Sequence, residues 1–156
     1  MINLSKITFQ KESLNDFIEE FAGLLKPHMA EINVSQRLGF VFKPDYGRYI
    51  KLQEAGVYTV VTCRDDGKLV GYSVFSVFPH IRYMDCKFAK EDLYYIVPEY
   101  RGNGLGTKLF IETEKVLKEQ GVDQIVFTTK IYSDHSSIFE KLGYELFEKS
   151  FTKRIS

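Results

Sequence analysis

The chain has no tryptophan, two cysteines and three histidines in 156 residues, and its formal net charge is zero. Each shortage excludes something. Cys63 and Cys86 form neither a metal-ligand spacing nor a disulfide framework, so two reduced thiols in a cytoplasmic protein are expected. Three histidines spread along the chain argue against a metal centre, and none is expected. The 21 basic residues equal the 21 acidic ones. Duplex nucleic-acid binders usually carry a basic excess, so no nucleic-acid partner is expected. No apolar run approaches the ~20 residues that span a bilayer, so no membrane association is expected. The start, Met1 to Lys6, lacks the apolar core of a signal peptide. There is no low-complexity tract, internal repeat or linker-like stretch. What is present fits one domain over residues 1–156, with 44% apolar residues to build a core. Its 13 Phe and 10 Tyr could fill that core, line a cleft or form a homodimer interface.

The pattern alternates between strand and helix. Ile7–Gln10 reads as a strand. A helix capped by Ser13 or Asn15 runs through about Lys26, with Leu14, Phe17, Ile18, Phe21, Leu24 and Leu25 at helical spacing. Pro27 predicts a break, followed by a second piece from His28 to Ile32. Asn33–Tyr46 reads as irregular and Arg48–Glu54 as a short helix. Val57–Cys63 is a β-branched strand, Asp65-Asp66-Gly67 a hairpin turn, and Lys68–Phe78 the return strand with Gly71 as a candidate bulge. Pro79–Lys90 reads as a long loop. Leu93–Val97 is a strand, Leu105–Gln120 a helix stopped by Gly121, and Gln124–Thr129 a strand. A helix capped by Ser133 or Asp134 ends near Gly143, and Tyr144–Ile155 reads as a final strand or hairpin. A hairpin followed by strand-helix-strand implies a mixed sheet.

The stretch from Asp92 to Gly121 carries the chemistry. A strand stops at Pro98 and a basic, glycine-rich turn, Arg101-Gly102-Asn103-Gly104-Leu105-Gly106-Thr107, opens into a helix. Such a turn aims several N–H groups at one point beside the positive end of a helix dipole, which suits a diphosphate. The Walker spacing is absent, and Gly102-x-Gly104-x-Gly106 is one residue short of the dinucleotide pattern. Arg-Gly-x-Gly-x-Gly after Ile96-Val97-Pro98 resembles instead the GNAT superfamily of acetyl-coenzyme A-dependent N-acetyltransferases.

The resemblance covers about residues 57–155 well and the first 56 loosely. It implies an α/β GNAT fold, a central mixed twisted sheet with helices on both faces. It implies that Arg101 to Thr107 hold the pyrophosphate of acetyl-coenzyme A, and that the backbone of Ile96 and Val97 pairs with the pantetheine arm. The acyl carrier does the activating, so neither a protein nucleophile nor a metal is required. Asp92 falls where such enzymes commonly carry an acidic base, with Glu91 as the second candidate. Alternation puts Asp92, Tyr94 and Ile96 on one strand face. In the resemblance a tyrosine often serves as acid, but the corresponding pattern here is Phe139-Glu140-Lys141-Leu142-Gly143-Tyr144. That leaves water, Tyr94, Tyr132 or Tyr144, or unaided departure of the thiolate. His28 and Glu31 share a helix face, and His80 and Tyr83 sit in the segment before the base strand. All four are candidate acceptor-binding residues. His28-Met29-Ala30-Glu31, Pro44-Asp45-x-x-x-Tyr49, Pro79-His80-x-x-Tyr83 and Lys153-Arg154 also resemble a phage-encoded subgroup, which would act in the host cytoplasm. The expected activity is acetyl transfer to a primary amine of a protein or small molecule. The alternative is a catalytically silent coenzyme A-binding or protein-interaction module, favoured by Phe139.

Overall fold

A computed structural model describes residues 2–32 and 34–156. Five strands form one sheet in sequence order: β1 (Ile7–Lys11), β2 (Tyr58–Asp65), β3 (Lys68–His80), β4 (Tyr83–Ile96) and β5 (Gln124–Val126). The first four are antiparallel, and β5 joins β4 in parallel. The crossover between them is α4 (Leu105–Glu119), as a parallel connection requires.

Helices cover both faces. On one, α1 (Leu14–Ile32) and α3 (Tyr46–Glu54) close a core of Leu14, Phe17, Phe21 and Leu25 against Val60, Tyr72, Val74, Leu93 and Tyr95. On the other, Leu105 and Leu109 of α4 pack on Val61, Cys63, Val70 and Ile96. Adjacent residues such as Val60 and Val61 enter different cores because a strand alternates its side chains.

Several elements differ from the sequence pattern. The helix does not break at Pro27; the ring removes one backbone bond, and burial of Leu25 before it and His28 after it holds the axis. The kink lies at Phe17 instead. Asn33, the head of the segment expected to be irregular, lies outside the described residues; the segment also contains α2 (Val34–Arg37). The bulge expected at Gly71 falls one residue earlier. Cys63 faces Gly71 while Arg64 faces Leu69, so Val70 is the extra residue. Gly71 is needed for close approach: a Cβ there would lie 2.7 Å from the Tyr95 carbonyl oxygen.

Pro79–Lys90 is not a loop. It is the end of a long β3–β4 hairpin, with Phe78 opposite Phe88 and His80 opposite Tyr83. These pairs meet across the strands at 5.3 Å, edge to face, and 4.8 Å, tilted, a stabilisation that a proline-containing stretch conceals from local reading. The strand expected over Gln124–Thr129 ends at Val126. No strand forms over Tyr144–Ile155; Phe147, Phe151 and Ile155, four apart and so on one face of an extended segment, are all exposed, and no core holds that face in place. The last helix, α5 (Ser136–Lys141), carries Phe139 onto Phe110 and Phe127.

Candidate active site

The site is a split in the sheet. Parallel pairing of β4 with β5 lasts three residue pairs, the last being Lys90 with Val126. The chains then part and leave a cleft of about 480 Å³. Glu91 sits at the apex, its carboxylate accepting from the Thr128 N–H at 2.9 Å and the Thr128 hydroxyl at 3.0 Å. Burial pushes the Glu91 carboxyl above its usual range, and the Thr128 bonds oppose that.

Past the apex, one edge of β4 has no strand partner. Backbone groups of successive residues point to opposite edges. The Val97 N–H bonds the Val70 carbonyl on β3 at 2.9 Å. Ile96 and Tyr94 therefore turn their main-chain groups into the cleft. Of Ile96 and Val97, both expected to offer backbone to a bound arm, Val97 instead gives its N–H to β3, and Tyr94 is the second residue whose main chain faces the cleft. The Ile96 carbonyl already accepts from Arg101 Nε at 2.8 Å.

At the end of this edge the chain passes a 3₁₀ turn, Pro98–Tyr100, and enters the glycine turn. Gly102 and Gly104 have φ of +82° and +74°, a left-handed conformation natural to glycine, with open space around both. Gly104 is the N-cap of α4 and provides no side chain to cap it. The first intrahelical bond runs from the Lys108 N–H to the Gly104 carbonyl at 3.0 Å. The N–H groups of Leu105, Gly106 and Thr107 precede it and so lack helix partners. Gly102, Gly104, Gly106 and Thr107 all face the cleft. This open cradle of backbone donors fits a diphosphate. Gly106 has a second role: its carbonyl accepts from the Tyr94 hydroxyl at 2.6 Å, and a Cβ would lie 2.9 Å from that oxygen. Asn103 donates to the Arg101 carbonyl at 3.3 Å and shapes the turn.

Arg101 does not extend freely toward the cradle. Its guanidinium forms a two-pronged pair with Glu31 at 2.7 and 2.8 Å and lies 5.4 Å from the Tyr95 ring centre. This ties the end of α1 to the turn, and the Arg101 bond holds the Glu31 carboxyl below its usual range. Neither residue is free in the way the sequence suggested. His28, three residues from Glu31, is buried, bonded to the Tyr72 hydroxyl at 2.8 Å and stacked on Tyr95 at 4.5 Å. Burial pushes its imidazole down to about 4, so it packs in the wall as a neutral ring. His80 and Tyr83 lie at the hairpin tip, outside the cleft lining. Tyr83 is roughly 26 Å along the strand from Glu91 at ~3.3 Å per residue, so the structure does not bring this pair to the site.

Asp92 is the extra residue of a second bulge: Val74 pairs with Leu93 and Phe75 with Glu91. The bulge overturns the expectation that Asp92 shares a face with Tyr94 and Ile96. Tyr94 stacks on Phe110 of α4 at 4.0 Å, whereas Asp92 accepts from the Tyr58 hydroxyl at 3.0 Å on the α1–α3 side. Glu91 takes the α4 side instead. Burial raises the Asp92 carboxyl and the Tyr58 bond partly lowers it. Tyr58 lies 34 residues from Asp92 in sequence, and no local signal links them.

Phe139 lines the cleft as an apolar wall. The three alternative tyrosines are all bonded: Tyr94 to Gly106, Tyr144 to the Glu114 carboxylate, and Tyr132 to the Ile32 carbonyl. Of these only Tyr94 and Tyr132 line the cleft. Among the described residues there is no group of three or more His, Cys, Asp or Glu able to hold a metal, and no helix long and apolar enough to cross a membrane.

Comparison with known proteins agrees with this architecture. Residues 25–144 match the family described as Acetyltransferase (GNAT) family. N-alpha-acetyltransferase 30 of Schizosaccharomyces pombe is 40% identical over 50 residues, which is 31% of this chain and 33% of that protein. The match thus spans a third of that relative's length. An aminoglycoside acetyltransferase from an uncultured soil metagenomic sample, in complex with sisomicin, superposes with a TM-score of 0.77 at 17% identity, over 97% of this chain and 98% of that one. A ribosomal-protein-alanine N-acetyltransferase from Brucella melitensis gives 0.73 at 21% identity, over 96% and 99%. A predicted acetyltransferase from Clostridium acetobutylicum with acetyl-CoA gives 0.68 at 12% identity, over 95% and 96%. At these identities the likeness of the solved structures is one of fold.

Proposed function

Because this chain belongs to the GNAT family of acetyltransferases, we propose that it moves the acetyl group of acetyl-coenzyme A directly to a primary amine of a protein or small molecule. Residues 1–156 act as one domain in this reading. The observation that carries it is the continuity of one cleft from the glycine cradle at the start of α4 to Asp92 and Glu91 at the sheet split.

The N–H groups of the Gly102–Thr107 segment hold the pyrophosphate. Main-chain groups of Tyr94 and Ile96 bind the arm in the place a sixth strand would occupy. A primary aliphatic amine is protonated near pH 7 and cannot attack until it loses a proton. Asp92, its carboxyl raised by burial, takes that proton in its ionised form, directly or through water. The amine nitrogen then bonds the acetyl carbon as the carbon–sulfur bond breaks. Its second proton ends on the departing sulfur, delivered by water because Phe139 has no hydroxyl. Backbone N–H groups on the open β4 edge stabilise the charge that develops on the acetyl oxygen. The soil enzymes named for aminoglycosides and the Brucella enzyme named for a ribosomal-protein alanine make amino sugars and protein N termini the first acceptors to try.

Calorimetric titration with acetyl-coenzyme A, with NADH and ATP as controls, tests the cradle. Micromolar binding of acetyl-coenzyme A alone is expected. Absence of binding would remove the basis for the assignment. Thiol release in the presence of an amine panel then tests transfer.

A further inference from the structure

After α5 the chain runs without turn or bend from Tyr144 to Ser156 and joins no strand. Among the described residues, none from Glu145 to Ser156 makes a main-chain hydrogen bond to another main-chain group. The segment is nevertheless anchored at two points. The Tyr144 hydroxyl donates to the Glu114 carboxylate on α4. Arg154 donates to the Leu38 carbonyl at 2.9 Å, with its guanidinium 4.9 Å from the Phe40 ring centre. Tyr144 and Arg154 are an even number of residues apart, so an extended chain points both to one side, the side of the protein's own body. The other side carries, in order, Glu145, Phe147, Lys149, Phe151, Lys153 and Ile155. Phe147 is 62% exposed, Phe151 95% and Ile155 94%. Large apolar groups lined up on one exposed face mark an interaction surface.

The order of side chains on this face complements itself. Reversed about Lys149, it sets Phe147 opposite Phe151 and Glu145 opposite Lys153. We propose that this segment is the contact between two copies of the chain, two segments lying antiparallel and face to face about a two-fold axis at Lys149. Each Phe147 then meets Phe151 of the partner subunit, and each Glu145 meets Lys153 of the partner subunit. A two-fold contact needs only one such self-complementary surface. The anchors keep each body behind its own segment and leave the Phe face free. Lys149, on the axis, keeps its ammonium in water while its stem covers the rings.

Phe147 and Phe151 together offer about 300 Å² for burial. With Ile155 and the lysine stems, two segments bury on the order of 1,000 Å², the lower end for a specific interface. A dimer of roughly micromolar affinity is therefore expected. Among the described residues, none of the segment lines the cleft, so the contact is independent of the acetyl-transfer reading.

Sedimentation velocity over a concentration series of the full chain tests this. Wild type should shift from monomer to dimer in the micromolar range. Phe151→Asp should weaken the dimer about thirtyfold, as expected for an aromatic at the centre of an interface. Below the dimerisation range its thermal melt should match that of wild type, because the ring is exposed in the monomer. Glu145→Lys sets like charges opposite each other and should weaken the dimer about tenfold, and adding Lys153→Glu should restore it. Cys86 is exposed, so cross-linking is done in a Cys86→Ser background. There Lys149→Cys should form a disulfide-linked dimer on mild oxidation, since this position meets itself on the axis; Glu119→Cys, exposed on α4, should not. A wild type that stays monomeric at high micromolar concentration would overturn the proposal. So would a Phe151→Asp dimer of wild-type strength, a lowered melt of that variant as monomer, no rescue by the charge swap, or equal cross-linking at the two cysteine positions.

Discussion

Gly104 offers the sharpest test of the cradle. Its φ of +74° is left-handed, and nothing lies within 4 Å of where a Cβ would sit. Gly104→Ala therefore adds no clash and incurs only the left-handed cost, about 1–2 kcal/mol. For a chain of this size that lowers Tm by roughly 2–8 °C. Gly104→Glu incurs the same backbone cost and places a carboxylate among the free donors of α4. A like charge about 5 Å from one phosphate charge, at an effective dielectric of about 20, is worth ~3 kcal/mol of repulsion, or a hundredfold or more in affinity. Gly143, at φ +88° with equally open surroundings, lies outside the cleft lining and serves as the strain control. Thermal melts and calorimetry with acetyl-coenzyme A on Gly104→Ala, Gly104→Glu and Gly143→Ala separate the two effects. The expected order is similar melting losses for the two alanine variants, wild-type affinity for Gly143→Ala, and loss of binding for Gly104→Glu. Wild-type affinity in Gly104→Glu would refute the idea that a diphosphate occupies this turn.

Asp92→Asn should lower kcat by about a hundredfold while acetyl-coenzyme A affinity stays near wild type; an unchanged rate in a thiol-release assay would remove Asp92 as base. His28 is neutral in the fold because burial depresses it to about 4 from 6.5. The unfolded chain thus binds the proton first, and stability should fall as pH drops from 6.5 to about 4, by roughly 3 kcal/mol. Urea melts across that window should show the slope in wild type and its loss in His28→Gln; a slope retained in the variant would assign it elsewhere. Gly106→Ala should force the Tyr94 hydroxyl off the α4 carbonyl, with a loss of about 1–3 kcal/mol measured by denaturation.

The reach of the sequence differs from element to element. The hairpin at Asp66-Gly67 was legible because only certain residues accept its two positive φ values, +48° and +85°. The α4 helix was legible from its Gly104 start and Gly121 stop, with apolar spacing between them. The β3–β4 hairpin tip was not, because its stability comes from pairs such as Phe78 with Phe88, whose meeting depends on register. Asp92 was found as a residue, but its direction was misread. A bulge inserts one residue, and one residue reverses every side chain assigned by alternation.

By itself the sequence determined the chemistry available: a glycine turn able to host a diphosphate, and carboxylates one strand-length before it. Those properties are local, fixed by backbone freedom and side-chain type. Only the tertiary structure decided how these groups are used. It joined Arg101 to Glu31 across 70 residues, took Val97 out of the cleft by bonding it to Val70, and turned Asp92 toward Tyr58. Each of these outcomes depends on which distant atoms lie within about 3 Å, the range over which a hydrogen bond acts, and register and burial alone set that.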